Sequence, residues 1–329
     1  MENELKQDKP FMTYEQLIQK LSEEKKLEIS DKDYAIKLLK EHSYFSLISG
    51  YKGPFKGKDG NYKVYTSIQD IYALYIFDDS LRALFLKYIL KIENHVKSLI
   101  SYSFCETYGD AQQHYLNATK YNYNSQNQKD VNELITRLTK ITTDPKNYPY
   151  IKHQQKKHGN IPLWVMMKAL TLGTVSKMYS FLPQNIQHSI SKEFTYVHES
   201  MLVQMLDLLA RVRNVCAHNE RLFDYKYKKG TIDDTYIHAS LEIPKVNGQY
   251  KKGKNDLFAV VIVLKYLLGE NYFQSFVEKL NNLIQKLLND TKRIQQVQLY
   301  KYMGFPENWI EIKNKSNKDD SLMLGKDSL

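Results

Sequence analysis

Three observations predict an all-α protein. Apolar residues recur at steps of three and four over long stretches. No segment alternates apolar and polar residues long enough to demand a sheet. Helix-opening and helix-closing residues bracket the periodic segments. The expected architecture is a helical bundle with an N-terminal helical extension over residues 1–66. A helical domain follows over 67–290, and a C-terminal segment over 291–329 ends in a disordered tail. A chain of 329 residues can bury a real core, as one large domain or two small ones.

Residues 1–9 are polar and expected to be loose. Thr13 with Gln16 three residues on forms the pattern of a capping box, opening a helix through Leu21. Ser30-Asp31-Lys32-Asp33 opens a second helix, with Tyr34, Leu38 and Leu39 at helical spacing; a Gly/Lys-rich loop then runs to about Tyr65. From Ser67 to Tyr108, Ile71, Leu74, Tyr75, Leu81, Leu84, Phe85, Tyr88, Ile89 and Ile92 repeat at helical steps. That implies two helices or one long kinked helix, closed by Gly109, the residue type favoured just past a helix end.

Residues 110–160 are rich in Asn, Gln, Lys and Tyr and read as loops with one short helix near Val131–Ile141. Pro162-Leu163-Trp164 starts a helix reaching Thr174; Val175–Leu182 continues it or forms the next, and Pro183 closes it. From His198 through Ala217, Met201, Met205, Leu208, Val212 and Val215 form one stripe, with Leu202, Leu206, Leu209 and Cys216 beside it. So broad an apolar face belongs in a bundle core. Asp224–Gly253 is a polar insertion, with a β-hairpin placed around Thr231–Ile243. Helices near Asp256–Leu268 and Asn271–Leu288 follow, and from Ile312 the Lys/Asn/Ser/Asp-rich tail is expected to be disordered.

The formal net charge is +10, from 47 Lys+Arg against 37 Asp+Glu, which favours polyanionic partners such as nucleic acid. Lysine-rich usage also follows from an AT-rich genome, so charge alone leaves RNA binding and genome composition as equal readings. The 26 tyrosines can stack on splayed bases, but most are expected to serve as amphipathic packing residues. Cys105 and Cys216 cannot build a disulfide framework or a Cys-rich zinc site, and they fit a reducing cytoplasm. The charged start, Met1-Glu2-Asn3-Glu4, lacks the apolar stretch of a signal peptide. The longest apolar run, Leu257–Leu268, is interrupted by Lys265 and is too short to span a bilayer, so no membrane partner is expected. With no phosphate-binding loop, Ser-His-Asp set or HExxH, the chain carries no sign of nucleotide hydrolysis, acyl transfer or zinc proteolysis.

The chemistry-bearing stretch is Arg213-Asn214-Val215-Cys216-Ala217-His218. A guanidinium holds phosphate oxygens bidentately, and an imidazole moves protons near neutral pH. RNA carries its own nucleophile, the 2′-hydroxyl. Cleavage needs a base for its proton, an acid for the leaving 5′-oxygen and positive charge on the phosphoryl oxygens, with neither metal nor cofactor. His218 suits the proton transfers, Arg213 the electrostatic task, and Asn214 can orient the phosphate or the ring. Positions five apart sit about 140° from each other on an ideal helix, so the two do not form a tight pair unaided. A two-fold homodimer, with both helix ends meeting at one groove, solves this. The bland reading is an Arg and a His satisfying carboxylates or capping carbonyls at a helix end.

Other candidates carry two readings each. Glu93 either buttresses Arg213 or Arg211 from a neighbouring helix or forms a structural ion pair. Asp78 and Arg82, four apart, can pair on one face and border the groove. Arg221 either holds a flanking phosphate or caps the helix end. Lys152, Lys156 and Lys157, interleaved with His153 and His158, either track an RNA backbone or form a solvated loop, as does Lys251-Lys252-Gly253-Lys254. His42, His95 and His198 stand isolated and read as structural or surface residues.

The segment Leu206–Phe223 resembles the RNxxAHxxRLF signature of HEPN ribonucleases. More specifically, it resembles the Abi family of bacterial abortive-infection proteins, of the AbiD/AbiF type. Further motifs resemble that family in order. Lys9–Gln16 is similar to its KPxLTxxxQ, Tyr44–Tyr51 to YYRLSGY, Phe77–Arg82 to FDxxLR and Ile92–Lys97 to IExxxR. Pro162-Leu163-Trp164 with Leu172–Ser176 is similar to PxW…xFGxLS. The chain departs from these patterns at Lys97, where arginine is common, and around Leu47-Ile48-Ser49. The likeness covers roughly residues 9–285. It implies an all-helical HEPN bundle, a metal-independent endoribonuclease and a homodimer with a composite site of Arg213, Asn214 and His218. It also implies association with a small noncoding RNA and a role in antiphage defence. A catalytically silent, RNA-binding HEPN scaffold is the alternative, since fold does not guarantee chemistry.

Overall fold

A computed structural model describes residues 10–317 except 147 and 229. Among them the fold is all-α. The helices are α1 Tyr14–Gln19, α2 Lys32–His42, α3 Ile68–Tyr108, α4 Gln112–Tyr115, α5 Gln128–Thr143, α6 Pro149–His158, α7 Leu163–Met166, α8 Leu172–Phe181, α9 Gln184–Ser191, α10 Glu199–Ala217 and α11 Tyr236–Ser240, then α12 Leu257–Leu267, α13 Glu270–Asp290 and α14 Gln296–Met303. One antiparallel hairpin, β1 Lys245–Val246 with β2 Gln249–Tyr250, lies between α11 and α12. The chain forms two compact units, described residues 10–80 with 282–299 and 81–281 with 300–317. Among the described residues no helix is long and apolar enough to cross a membrane.

In the first unit the cap signals act as expected. The Gln16 amide donates to the Thr13 hydroxyl at 3.3 Å, and the Thr13 amide to the Gln16 side chain at 2.8 Å. Asp31 caps α2 by accepting from the Tyr34 amide at 2.9 Å. Beyond Gln19 the chain does not stop at Leu21 but widens into a π-helical turn, Lys20–Glu24. A second π-helical turn, Phe45–Ser49, buries Leu47 and Ile48 completely. It delivers the Tyr51 hydroxyl to the buried Asp78 carboxylate at 2.7 Å.

In the second unit α10 packs against α8, α9 and α12. Its Met205, Leu206, Leu208, Leu209 and Val212 have no solvent exposure. Truncating one of these leucines to alanine would cost about 3 kcal/mol, through lost transfer energy and an unfilled cavity. Every residue of α12 is buried, as a helix apolar on all sides requires. Its one charge, Lys265, reaches Glu270 at 3.2 Å. Asp256 caps α12 by accepting from the Ala259 amide at 3.1 Å and the Gly253 amide at 3.0 Å. Burial pushes this carboxyl up, and Lys226 at 3.6 Å opposes that. Gly304, at φ +75°, presses on it so closely that a Cβ there would lie 2.2 Å from Asp256, which requires glycine.

Several local expectations are corrected. The 68–108 pattern is one uninterrupted 41-residue helix, closed by Gly109 at φ +86°. The stretch around Lys152–His158, expected as a loop, is helix α6. Pro149 supplies a suitable first-turn residue, and Gly159, at φ +64°, ends it. The helix expected from Pro162 to Thr174 breaks at Leu170, because Thr171 caps a new helix by accepting from the Thr174 amide at 3.3 Å. Thr231–Ile243 holds helix α11 rather than a hairpin; Thr235 and His238 form a capping box there. The hairpin lies just beyond, turning at Asn247 (φ +51°) and Gly248 (φ +76°). Toward the C-terminus, α14 and a 3₁₀ turn over Trp309–Asn314 bury Trp309 and Ile312, so the expected disorder does not begin at Ile312. The loose N-terminal residues 1–9 and the tail 318–329 lie outside the described residues.

Candidate functional site

The C-terminal end of α10 is shaped by its own backbone. The His218 amide donates to the Asn214 carbonyl at 2.9 Å and the Glu220 amide to the Val215 carbonyl at 3.0 Å. Closing the helix this way needs a left-handed residue, and Asn219 takes that conformation at φ +58°. Leu222 and Phe223 then turn inward, 0% and 1% exposed, and the Phe223 ring meets Tyr302 edge-on at 5.7 Å. Arg82, buried on α3, points its Nη1 at the Glu220 carbonyl at 3.5 Å. The turn after His218 is thus held from both sides, and the imidazole is left exposed.

Arg213 faces inward. Its Nε lies 4.0 Å from Oε2 of Glu93, a carboxylate only 5% exposed on α3. The other Glu93 oxygen accepts from Lys97 Nζ at 2.7 Å, and Lys97 also donates to the Leu170 carbonyl at 2.6 Å. That carbonyl is where the chain breaks between α7 and α8. Arg213 Nε and Glu93 Oε2 are buried without a hydrogen-bond partner. They attract as charges without closing to hydrogen-bond distance. The Arg213 side chain retains 30% exposure. Glu93 therefore sits beside Arg213 and not Arg211, which is paired elsewhere. Arg211 Nε donates to Asp207 at 3.1 Å, its guanidinium lies 5.4 Å from the Tyr227 ring centroid, and the Tyr227 hydroxyl donates to Asp207. Burial pushes neighbouring Tyr225 up to about 12, with Arg211 opposing.

Asn214 and His218 are both exposed and lie about 40° apart around the helix axis, on one side of α10. No hydrogen bond or ion pair joins Arg213 to His218 among the described residues, and α10 stays α-helical through Ala217. The other candidates disperse. Arg221 forms an exposed ion pair with Asp224 at 2.7 Å. Asp78 bonds Tyr51 in the first unit. Lys152, Lys156 and Lys157 are exposed on α6, and none of their side chains is hydrogen-bonded or ion-paired to α10. Lys97 is the supporting residue whose role the sequence reading missed; its i,i+4 spacing from Glu93 was the available signal. Among the described residues no three His, Cys, Asp or Glu side chains converge as a metal-ligand set. Neither Cys105 nor Cys216 forms a disulfide among the described residues.

A family described as Abi-like protein matches residues 37–224, a span that contains Glu93, Lys97, Arg213, Asn214 and His218. No curated protein and no solved structure matches the chain. The matched span runs from within α2 to just past the Leu222–Phe223 anchor and exceeds half of the sequence, so the chain belongs to the family of Abi-like proteins.

Proposed function

We propose that this chain is a HEPN-type endoribonuclease acting in abortive infection, the role that its family membership suggests. The single supporting observation is the asymmetry of the α10 end. Asn214 and His218 are offered to solvent on one side, while Arg213 is held by the Glu93–Lys97 pair on another.

His218 takes the proton of a 2′-hydroxyl, whose oxygen attacks the adjacent phosphorus. Arg213 neutralises charge growing on the phosphoryl oxygens, and Asn214 donates to one of them. A second imidazole, the partner's His218, protonates the departing 5′-oxygen. The products are a 2′,3′-cyclic phosphate and a 5′-hydroxyl. One chain supplies half of this set, so a two-fold homodimer in the cytoplasm, restrained by a bound small RNA, completes the proposal.

The test incubates purified full-length protein with total RNA in EDTA, beside His218→Ala and Arg213→Ala. Cleavage by the unaltered protein alone, with cyclic-phosphate ends, is the expected result. Cleavage that survives His218→Ala overturns it. A protein that remains monomeric under cleaving conditions overturns the shared groove. One observation favours a second reading, a silent RNA-binding scaffold: Arg213 has a carboxylate beside it, as a purely structural arginine would. Equal RNA binding in all three proteins, with cleavage in none even alongside the RNA that co-purifies, is its signature.

A further inference from the structure

A cleft of about 400 Å³ opens in the second unit between α5 and the start of α8. Its walls carry three cations and one acid. Arg137 and Lys140 come from α5, and Lys146 follows that helix. Asp144 is the acid, and it lies 3.4 Å from Lys146. Arg137 and Lys140 make no ion pair among the described residues. They stand three apart on one helix, a like-charge arrangement that disfavours itself unless an anion sits between the two.

The opposite wall carries two hydroxyls, those of Thr171 and Thr174, hydrogen-bonded to each other at 3.1 Å. Thr171, the N-cap of α8, and Thr174 line the cleft, where the partial positive charge of a helix N-terminus adds to the lysines. Arg137 Nη1 donates to the Thr174 hydroxyl at 2.9 Å. That bond fixes the guanidinium at the rim and uses one of its five N–H donors. Tyr148, half-buried at the edge, offers a ring face of the kind on which a base stacks. On the far side of Arg137 the next depression is lined by Asp130, Glu133 and Lys177, where acids balance the cations.

The cleft is linked to the motif arginine through Lys97 and Glu93. Leu170 lines it, and the Leu170 carbonyl accepts from Lys97, whose ammonium holds the carboxylate facing Arg213. A polyanion seated there lies one side-chain relay away from Arg213. We propose that this cleft is a backbone-phosphate subsite for single-stranded RNA, flanking the cleavage position, with Arg137 and Lys140 on the phosphate and Tyr148 beneath a base. The inference rests on the ribonuclease reading for its substrate class.

The test measures binding of a fluorescent 12-nucleotide single-stranded RNA to full-length His218→Ala protein across a salt series, so that turnover does not interfere. Lys140→Gln with Lys146→Gln is the variant least able to disturb folding, since Lys140 is exposed and the Lys146 side chain is 82% exposed. Arg137→Gln is added to it in a second variant. Each lost cation that touches a phosphate should make the plot of log affinity against log salt shallower by about 0.7, and affinity should fall on the order of tenfold for two. Tyr148→Ala should lower affinity without changing that slope. An unchanged slope in both cation variants, or no RNA binding at low salt, overturns the subsite. So does loss of binding to an acidic peptide in place of RNA. An unaltered protein that never cleaves, with a slope that still drops, sinks the nuclease and leaves the subsite standing. Cleavage that proceeds unaffected by the cation variants, with an unchanged slope, does the reverse.

Discussion

Arg213 and His218 stand five residues apart on one helix in opposite surroundings. Around Arg213 the protein supplies a buried carboxylate, a lysine that bonds it and a freed backbone carbonyl. Around His218 it supplies a tightly closed turn and, among the described residues, no hydrogen bond or ion pair to the imidazole. The first residue is held by packing against α3; the second is placed by the local geometry of a helix end. Tertiary charge interactions cost stability when broken, whereas an exposed group can be removed with little effect on folding. Activity and stability should therefore separate along this helix.

The largest effect is expected at His218. Replacing it by alanine should lower RNA cleavage about 10³-fold, the scale of a lost general acid–base group, while shifting stability by less than about 0.5 kcal/mol. Cleavage assays beside thermal melts measure both. A large loss of stability would mean that the imidazole is structural after all.

Glu93→Ala should act the other way, on folding first. It leaves the Lys97 ammonium, 13% exposed, without its carboxylate and removes the charge facing Arg213. The expected cost is about 4 kcal/mol, read from a denaturant midpoint. An unchanged midpoint would show that the pair holds nothing.

Acid should act on stability through the buried His238. Burial pushes His238 down to about 4 from 6.5; its Nε2 donates to the Gly253 carbonyl at 2.9 Å, and its Nδ1 accepts from the Thr235 amide at 3.0 Å. Between those values the unfolded chain binds a proton that the folded chain does not, so stability rises with pH. The contribution is complete above about 6.5 and is lost as pH falls towards 4, up to about 3 kcal/mol. His238→Gln should flatten the melting temperature between pH 7 and 4.5 and leave the pH profile of cleavage in place. If the melting curve keeps its slope in that variant, other groups carry the acid sensitivity.

The smallest effect belongs to the turn. Asn219→Ala forces a Cβ-bearing residue without a helpful amide into φ +58°, costing about 1 kcal/mol, whereas Asn219→Gly should be neutral or slightly stabilising. Equal melting temperatures for the two would argue against a strained left-handed closure.

Much of the fold was readable from short-range signals. The Thr13–Gln16 box, the Asp31 cap, the 68–108 periodicity and the glycine at 109 all act within a few residues of themselves, and all appear where expected. Misreadings arose where two local signals competed. Lysines, histidines and glutamines at 152–158 suggested a solvated loop, yet their helix needs only Pro149 to start it, Ile151 to anchor it and Gly159 to end it. Turn residues near Thr231 drew the hairpin too early, while Asn247-Gly248, the stronger turn signal, marked its true place. At the candidate site, the motif and its angular split could be read directly. The choice of Glu93's partner could not, because Arg211 and Arg213 are chemically alike and only two apart.

The sequence by itself determined the helical class, most helix starts, and the presence of an arginine, an amide and an imidazole at the end of a core helix with a broad apolar face. Those follow from side-chain periodicity and capping, which depend on neighbours along the chain. Only the tertiary structure decided that Glu93 faces Arg213. It alone freed the Leu170 carbonyl for Lys97 and gathered Arg137, Lys140 and Lys146 around one cleft. Glu93 with Arg213, Lys97 with Leu170 and Arg137 with Thr174 are meetings of residues tens of positions apart. Which of several equivalent charges comes to face another is set by helix packing, and packing depends on the whole core rather than on any short stretch of chain.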